Sequence, residues 1–246
     1  MSTCFRQWLD ELRDVRGTRP LWPVLLGAGL EEEFRRQIES QESYSGEVFK
    51  DRDDHELEEG DTEDRLVAQL YRSALEKDGC VHLSDKPIWL LGFQWPTQGG
   101  NSEKGRRADL VGMTNDGALV VFEAKRGDGE APLIAIMEGL DYLSCLFRPA
   151  NFAKIKSGFK KWLEKSGKGV PDGFDGVAPD RTVRPKLVVL APQIFFDSQG
   201  RSIRGRDWPS LAEIGDSFME SVQLVFAATD WSSLILKKPS VNSTAK

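Results

Sequence analysis

The sequence predicts an α/β domain in which a mixed central β-sheet is flanked by helices. Amphipathic helical stretches and short apolar runs alternate after residue 61, in the order helix, three strands, helix, strand, helix, strand. Turn-forming residues between two of the apolar runs indicate an antiparallel hairpin. With 246 residues and 39% hydrophobic content, the chain can bury a sizeable core. We therefore expect one folded domain over residues 61–236.

Residues 1–60 are predicted to form a small helical segment followed by an acidic linker. Apolar residues recur at helical spacing near the start and favour a helix over residues 5–15: Phe5, Trp8, Leu9 and Leu12. A connector with two prolines leads to a charged helix over residues 30–42. Residues 47–64 are densely acidic, which is typical of an exposed loop. We assign no chemistry to this segment, which could be a partner surface or a substrate-selecting appendage, and we favour a helical cap.

The domain itself opens with a helix that begins near Asp61 or Thr62 and ends near Asp78. Either of the first two residues can cap the helix. The predicted buried face consists of Leu66, Val67, Leu70, Tyr71, Ala74 and Leu75. Glu63 extends this face at the helix start, where its carboxylate either joins a site or complements the helix dipole. A first strand follows over residues 86–95.

The hairpin brings charged residues together. Residues 114–117 read Thr-Asn-Asp-Gly, which favours a tight reversal because Asn, Asp and Gly accept positive φ at low cost. If the reversal centres near Asp116, Asp109 lies opposite Glu123 or within one residue of it. Lys125 is two residues beyond Glu123 and points to the same face. We therefore expect Asp109, Glu123 and Lys125 to converge.

Two neighbouring carboxylates at the end of an apolar ribbon indicate a cation site. They repel each other and lose hydration, which is costly unless positive charge lies between them. Oxygen-only ligation favours Mg²⁺ or Mn²⁺ over zinc. The triplet Glu123-Ala124-Lys125 is the only acidic-x-Lys triplet in the chain, and it ends the strongest strand-like run. An ordinary hairpin with charges at its mouth is the alternative interpretation.

These residues resemble the pattern of the PD-(D/E)XK nuclease superfamily, whose fold is restriction-endonuclease-like. The matching positions are Asp109, a gap of thirteen residues, and Glu123-Ala124-Lys125. The resemblance implies that Asp109, Glu123, the Ala124 carbonyl and a first-helix glutamate, best matched by Glu63, bind Mg²⁺ or Mn²⁺. It implies hydrolysis of phosphodiester bonds in DNA rather than RNA. Lys125 would position the attacking water and neutralise phosphate charge.

The helix after the hairpin carries a further partial match. Pro132 suits its first turn, and it is predicted to run to Phe147. Many superfamily members have a glutamine followed four residues later by tyrosine on this helix, and Glu138 and Tyr142 occupy the matching places here. The glutamate departs from the family pattern. It could bind metal indirectly or orient water, or both residues could be structural, with Tyr142 in the core.

Basic residues near the hairpin are candidate nucleic-acid contacts. Lys104, Arg106 and Arg107 follow a loop rich in Gly, Asn and Ser, and Arg126 follows the acidic-x-Lys triplet. Arginines could hold phosphate bidentately or simply offset the carboxylates. The remaining predicted elements are a helix over 152–165, a strand over 186–192, a helix over 209–219, a strand over 222–228 and a disordered tail over 237–246.

Other chemistries find little support in the sequence. Cys4, Cys80 and Cys145 are too few for a disulfide framework, and His55 and His82 fit no metal-ligand spacing. There is no phosphate-binding loop motif, so no nucleotide cofactor is indicated. No apolar run reaches the roughly 18 residues of a membrane span, and the start lacks a signal peptide's apolar core, so we expect a cytoplasmic protein. The net charge of −6 argues against nonspecific nucleic-acid binding by the whole surface but permits a local basic groove.

Two other functions fit the same sequence. The chain could be a nucleic-acid-binding or assembly module that keeps the nuclease core without cleaving, or a protein-interaction module centred on the acidic amino-terminal segment. Restriction, repair and phage-defence enzymes share the chemistry described above, so the site does not identify a pathway. Cleavage of both strands would need paired sites, which makes a homodimer an expected partner state.

Overall fold

The computed structural model describes residues 4–13, 28–40, 63–97, 107–127, 131–165, 173–197 and 210–240. Its helices are α1 (Cys4–Arg13), α2 (Ala28–Ile38), α3 (Glu63–Glu76), α4 (Pro132–Leu146), α5 (Pro149–Lys165), α6 (Gln193–Asp197) and α7 (Leu211–Ser217). Its strands are β1 (Cys80–Leu83), β2 (Lys86–Pro96), β3 (Arg107–Thr114), β4 (Leu119–Ala124), β5 (Lys186–Ala191), β6 (Gln223–Ala228) and β7 (Ile235–Leu236). No helix in these ranges combines the length and apolarity that a membrane crossing requires.

The strands form one mixed seven-stranded sheet in the order β6-β5-β4-β3-β2-β1-β7. Strands β1 to β4 pair antiparallel in chain order, whereas β5 and β6 continue from β4 in parallel. The two edges meet, because Ala228 and Lys237 exchange backbone hydrogen bonds of 2.7 and 3.1 Å. The sheet is therefore nearly closed. The predicted α/β class, with a mixed sheet flanked by helices, is confirmed.

The central strands of the sheet contribute to two apolar layers, because side chains alternate between the two faces of a strand. Phe122 of β4 packs on the α3 side, with Val67 and Leu70. Val121 packs on the other side, with α1, α2, α4 and α5. Glu123 follows Phe122 and therefore belongs to the α4 side. The end of β4 thus places the polar side chain of Glu123 toward α4.

The amino-terminal helices are part of the main core rather than a separate cap. Phe5, Leu9 and Leu12 of α1 are buried in the same apolar cluster as the α4 residues, and α1 packs directly against α4. Leu30 and Phe34 of α2 join this cluster. The acidic linker predicted over residues 47–60 lies outside the described residues. Helices α1 and α2 therefore complete the layer that covers one face of the sheet.

The structure differs from the sequence prediction at several places. Strand β1 was not predicted; Ser84 and Asp85 turn it into β2 with φ angles of 48° and 66°, which a sequence without glycine does not signal. Leu75, predicted to be buried, is 43% exposed near the end of α3. The tail was predicted to begin at residue 237, but Lys237 pairs with Ala228 and the Ser240 backbone N–H donates to Gln193 Oε1. Backbone pairing thus orders the chain beyond β7.

Gly139 sets the distance between α4 and the sheet. A Cβ added at this position would lie 2.3 Å from Leu187 Cδ1 and 3.3 Å from Glu123 Cβ. Both neighbours are buried. The absence of a side chain therefore lets α4 approach β4 and β5 closely, and it brings the preceding residue, Glu138, to the end of β4.

We expect Gly139→Ala to destabilise the protein by about 1–3 kcal/mol, because overpacking forces α4 away from the sheet. Denaturant unfolding followed by circular dichroism measures this change. Gly215→Ala on α7 is the matched control, since nothing lies within 4 Å of its added Cβ. There the better helix propensity of alanine should be neutral or stabilising by up to about 1 kcal/mol. Equal effects of the two substitutions would contradict the close approach of α4.

Candidate active site

The β3–β4 hairpin places Asp109 and Glu123 side by side. Leu110 pairs with Phe122 in the antiparallel register, so the next position outward pairs Asp109 with Glu123, as the turn sequence predicts. Gly117 has a φ of 85° and donates its N–H to the Thr114 carbonyl over 2.9 Å, which closes the reversal.

The carboxylate of Asp109 is held by the backbone of the neighbouring strand. The Ala124 N–H donates to Asp109 Oδ2 over 2.7 Å. This bond joins the first acidic residue of the sequence pattern to the middle residue of the acidic-x-Lys triplet. Glu123 is buried, and Asp109 is partly exposed as a whole residue although its carboxylate is desolvated.

Lys125 lies at the centre of the site, surrounded by carboxylates. Its Nζ lies 2.7 Å from Glu123 Oε1, 2.8 Å from Glu138 Oε2 and 3.7 Å from Glu63 Oε1. The backbone is fixed as well, because the Lys125 N–H donates to the Leu190 carbonyl over 2.8 Å. One ammonium group thus links the end of β4, the start of α3 and the middle of α4.

These surroundings keep Lys125 charged. Burial by itself lowers the pKa of the amine, but the negative charges of Glu123, Glu138 and Glu63 outweigh it and raise the pKa well above the ordinary value. The pKa of Glu138 is lowered although burial opposes this, chiefly because Lys125 lies beside it. Lys125 can therefore donate hydrogen bonds and neutralise negative charge, but it cannot act as a proton acceptor.

The pKa values of the two hairpin carboxyls, Asp109 and Glu123, are raised. Burial raises the pKa of Glu123 well above its ordinary range, and the neighbouring charges of Asp109 and Glu138 add to the effect. Burial likewise raises the pKa of Asp109 to about 7, even though Lys125 lowers it. The charge of one lysine therefore does not compensate these carboxylates fully.

Glu138 and Tyr142 lie next to each other on α4, facing this cluster. Glu138 bonds to Lys125 directly, so the glutamate at the position that departs from the family pattern is part of the site. Tyr142 is partly buried against the main core, and its pKa is raised by burial and by the charges of Glu123 and Glu138. Tyr142 is therefore both a packing residue and a neighbour of the carboxylates.

Sequence reasoning missed Arg13. This last residue of α1 forms an ion pair with Glu138 through its Nη2 and the Oε1 of the carboxylate. Arg13 and Glu138 are 125 positions apart. The apolar stripe of α1 signals that the helix packs, but nothing in the stripe signals which helix it packs against.

Two of the four basic residues predicted to contact nucleic acid lie within the described part of the chain. Arg107 donates to Gln94 Oε1 over 3.0 Å and is partly exposed at the start of β3. Arg126 is exposed immediately after Lys125. Lys104 and Arg106 lie outside the described residues.

The donor chemistry of the cluster fits a hard divalent cation. Within the described part of the chain, the contacts and charges above involve four carboxylates, Asp109, Glu123, Glu138 and Glu63, but two basic side chains, Lys125 and Arg13. The Oε2 atom of Glu123 is buried and has no hydrogen-bond partner among these residues. Buried carboxylate oxygens with excess negative charge are the ligands that Mg²⁺ and Mn²⁺ prefer.

The carboxylates of this cluster are not arranged as a metal-ligand shell. Among the described residues, no three His, Cys, Asp or Glu side chains are arranged to hold a metal ion. The ammonium group of Lys125 lies between Glu123, Glu138 and Glu63.

Comparison with models of protein families, with curated proteins and with solved structures finds no match to this chain.

Proposed function

We propose that this chain is a metal-dependent nuclease that hydrolyses phosphodiester bonds in DNA, similar to PD-(D/E)XK endonucleases. The observation that carries the proposal is that Asp109 and Glu123 lie directly beyond the last paired residues of one hairpin, with the Lys125 ammonium 2.7 Å from Glu123. Charged groups of this kind are costly to desolvate, so their concentration at one point favours a functional site over a structural one.

The order of elements supports the same proposal. Three antiparallel strands, β2 to β4, are followed by α4 and by the parallel strands β5 and β6, which is the order that the resemblance implies for a restriction-endonuclease-like core. Strands β1 and β7 and the near-closure of the sheet are additions to that order. Strands β1 and β7 lie beyond β2, away from β4, and the closing contact joins Ala228 at the end of β6 to Lys237.

Asp109, Glu123, the Ala124 carbonyl and Glu63 would hold Mg²⁺ or Mn²⁺. The bound cation would supply positive charge for the phosphate and favour ionisation of the attacking water. Glu63 is suited to this role because its side chain is 33% exposed and already lies 3.7 Å from Lys125. It can turn toward an incoming ion without leaving a buried position.

Lys125 would act as a fixed positive donor. Because the surrounding carboxylates hold it in the ammonium form, it can orient a water molecule and stabilise the equatorial phosphate oxygens. A water molecule that releases one proton to solvent attacks phosphorus in line, the bond from phosphorus to the leaving oxygen breaks, and that oxygen takes up a proton from solvent. Glu138 keeps Lys125 in place through the 2.8 Å contact.

We expect the full chain to cleave DNA in the presence of Mg²⁺ or Mn²⁺ and to lose this activity in EDTA. Supercoiled plasmid, linear duplex and single-stranded RNA are compared as substrates, and the products are separated on gels. Product that persists after Asp109→Asn and Glu123→Gln would contradict this site. Binding to DNA with Ca²⁺, together with no product under any condition, would instead favour the non-catalytic nucleic-acid-binding module.

The same cleavage experiment tests whether the protein acts as a homodimer. Concerted cutting of both plasmid strands requires two sites, so linear product without a nicked intermediate would support a homodimer. Sedimentation of the protein with and without DNA measures the oligomeric state directly. Nicked product alone is the result expected of a single site.

A further inference from the structure

A chain of ion pairs leads from the buried part of the site to the surface. The exposed fraction of each side chain rises along it, from 4% at Glu123 and 8% at Lys125 to 12% at Glu138 and 39% at Arg13. Arg13 thus lies at the outer end of the same network that encloses Lys125. It is the basic group in this chain of contacts that solvent reaches most readily.

A phosphate that enters this site meets the carboxylates that surround Lys125. Lys125 is enclosed by Glu123, Glu138 and Glu63, so much of its positive charge is already compensated. An anionic substrate therefore needs a second cation at the rim, where it is still partly hydrated. An arginine suits this position because its planar guanidinium can hold two phosphate oxygens at once and stays charged at any physiological pH.

Helix α1 holds Arg13 at the rim by packing. Phe5, Leu9 and Leu12 are buried against the core, and Phe5 also makes an edge-to-face contact with Trp8 at 5.8 Å between ring centroids. The last turn of the helix is therefore fixed beside α4. The ion pair with Glu138 then sets the direction of the Arg13 side chain before any ligand is present.

The geometry points to Arg13 as a substrate-binding residue that contacts a backbone phosphate of the nucleic acid at the rim of the site. Glu138 holds the guanidinium in position in the free protein and shares it with the phosphate in the complex. This inference rests on the proposed nuclease function. It assigns to the amino-terminal helix a direct part in binding, whereas the sequence favoured a cap and left a substrate-selecting appendage as an alternative.

The test measures DNA affinity and its salt dependence. Wild type, Arg13→Gln, Arg13→Lys and Arg35→Gln are titrated into a fluorescein-labelled duplex in Ca²⁺ buffer over a series of NaCl concentrations, and anisotropy is recorded. Arg35→Gln is the matched control, because it removes the same charge from an ion pair with Glu31 on α2. The melting temperature of each variant checks folding, and Arg13→Lys provides the second variant if Arg13→Gln is poorly folded.

We expect Arg13→Gln to weaken DNA binding about tenfold and to reduce the slope of log affinity against log salt by about one, as loss of one phosphate contact does. Arg13→Lys should keep the slope and lose less affinity, whereas Arg35→Gln should stay within about twofold of wild type. A changed melting temperature with an unchanged slope would mean that Arg13 only neutralises Glu138, and it would overturn the inference. A wild-type protein that binds no DNA would overturn both this inference and the proposed function.

Discussion

Asp109→Asn is expected to lower the rate of phosphodiester cleavage by about 10³-fold while making the metal-free protein more stable at pH 8. The loss of rate follows from the removal of a negatively charged ligand from the proposed cation site. The gain in stability follows from the cost of burying an ionised carboxylate whose pKa is raised to about 7. Asparagine can still accept the hydrogen bond from the Ala124 N–H, so the local geometry is kept.

The sign of the pH dependence is determined by the direction of this pKa shift. Because the pKa of Asp109 rises from 3.8 in the unfolded chain to about 7 in the folded one, the folded state binds more protons between these values. The contribution of Asp109 to stability is therefore present below about pH 4 and is lost as the pH rises through about 7. Asp109→Asn should match wild type near pH 4 and exceed it by about 2–4 kcal/mol at pH 8.

Urea unfolding in EDTA buffer over this pH range measures the difference, and a cleavage assay with Mg²⁺ measures the rate. Asp85→Asn is the control, because Asp85 is exposed in the β1–β2 turn and asparagine tolerates its positive φ. That variant should leave both the rate and the pH profile unchanged. A metal-free Asp109→Asn protein that is less stable than wild type at pH 8 would show that the carboxylate is compensated by its neighbours.

Lys125→Met is expected to destabilise the metal-free protein by about 3–5 kcal/mol, since it leaves buried carboxylates without the cation they surround. The side chain of methionine is similar in length, so lost packing contributes little. The same change should remove cleavage, because the positive donor at the phosphate is lost. Mg²⁺ or Mn²⁺ should restore part of the stability, because a divalent ion replaces the missing charge.

Thermal and urea unfolding with and without the divalent ion test this expectation. Lys77→Met is the control, since Lys77 is exposed just after α3. Its stability should change by less than about 0.5 kcal/mol and should not depend on Mg²⁺. If Lys125→Met were as stable as wild type in EDTA, the ion pairs of Lys125 with Glu123 and Glu138 would not hold the site together.

The hairpin could be predicted because residues close together in the sequence determine it. Turn residues at 114–117 and the two-residue alternation of strands determine which residues pair, so Asp109 and Glu123 meet without reference to the rest of the chain. Glu63 could be placed near them only by the family resemblance, as the best match to a first-helix glutamate, and it lies 3.7 Å from Lys125. The register and the facing direction are both consequences of short-range geometry.

Other parts of the fold carried no such local signal. Strand β7 spans two residues and pairs in parallel with β1, from which it is distant in sequence. Two residues are too few for a periodic pattern, and their pairing depends on the sheet already being formed. Strand β1 has four residues, and its turn at Ser84 and Asp85 lacks the glycine that would mark a tight reversal.

By itself, the sequence determined the α/β class, the hairpin and the convergence of Asp109, Glu123 and Lys125, because periodicity and turn chemistry act between neighbours along the chain. Only the tertiary structure decided that Arg13 reaches Glu138 and that Glu138 reaches Lys125. An apolar stripe specifies that a helix is buried, but the partner it meets and the rotation at which they pack depend on the shapes of both surfaces. The electrostatic state of the site follows from that packing, because the pKa of Lys125 depends on carboxylates from four separate elements, β3, β4, α3 and α4.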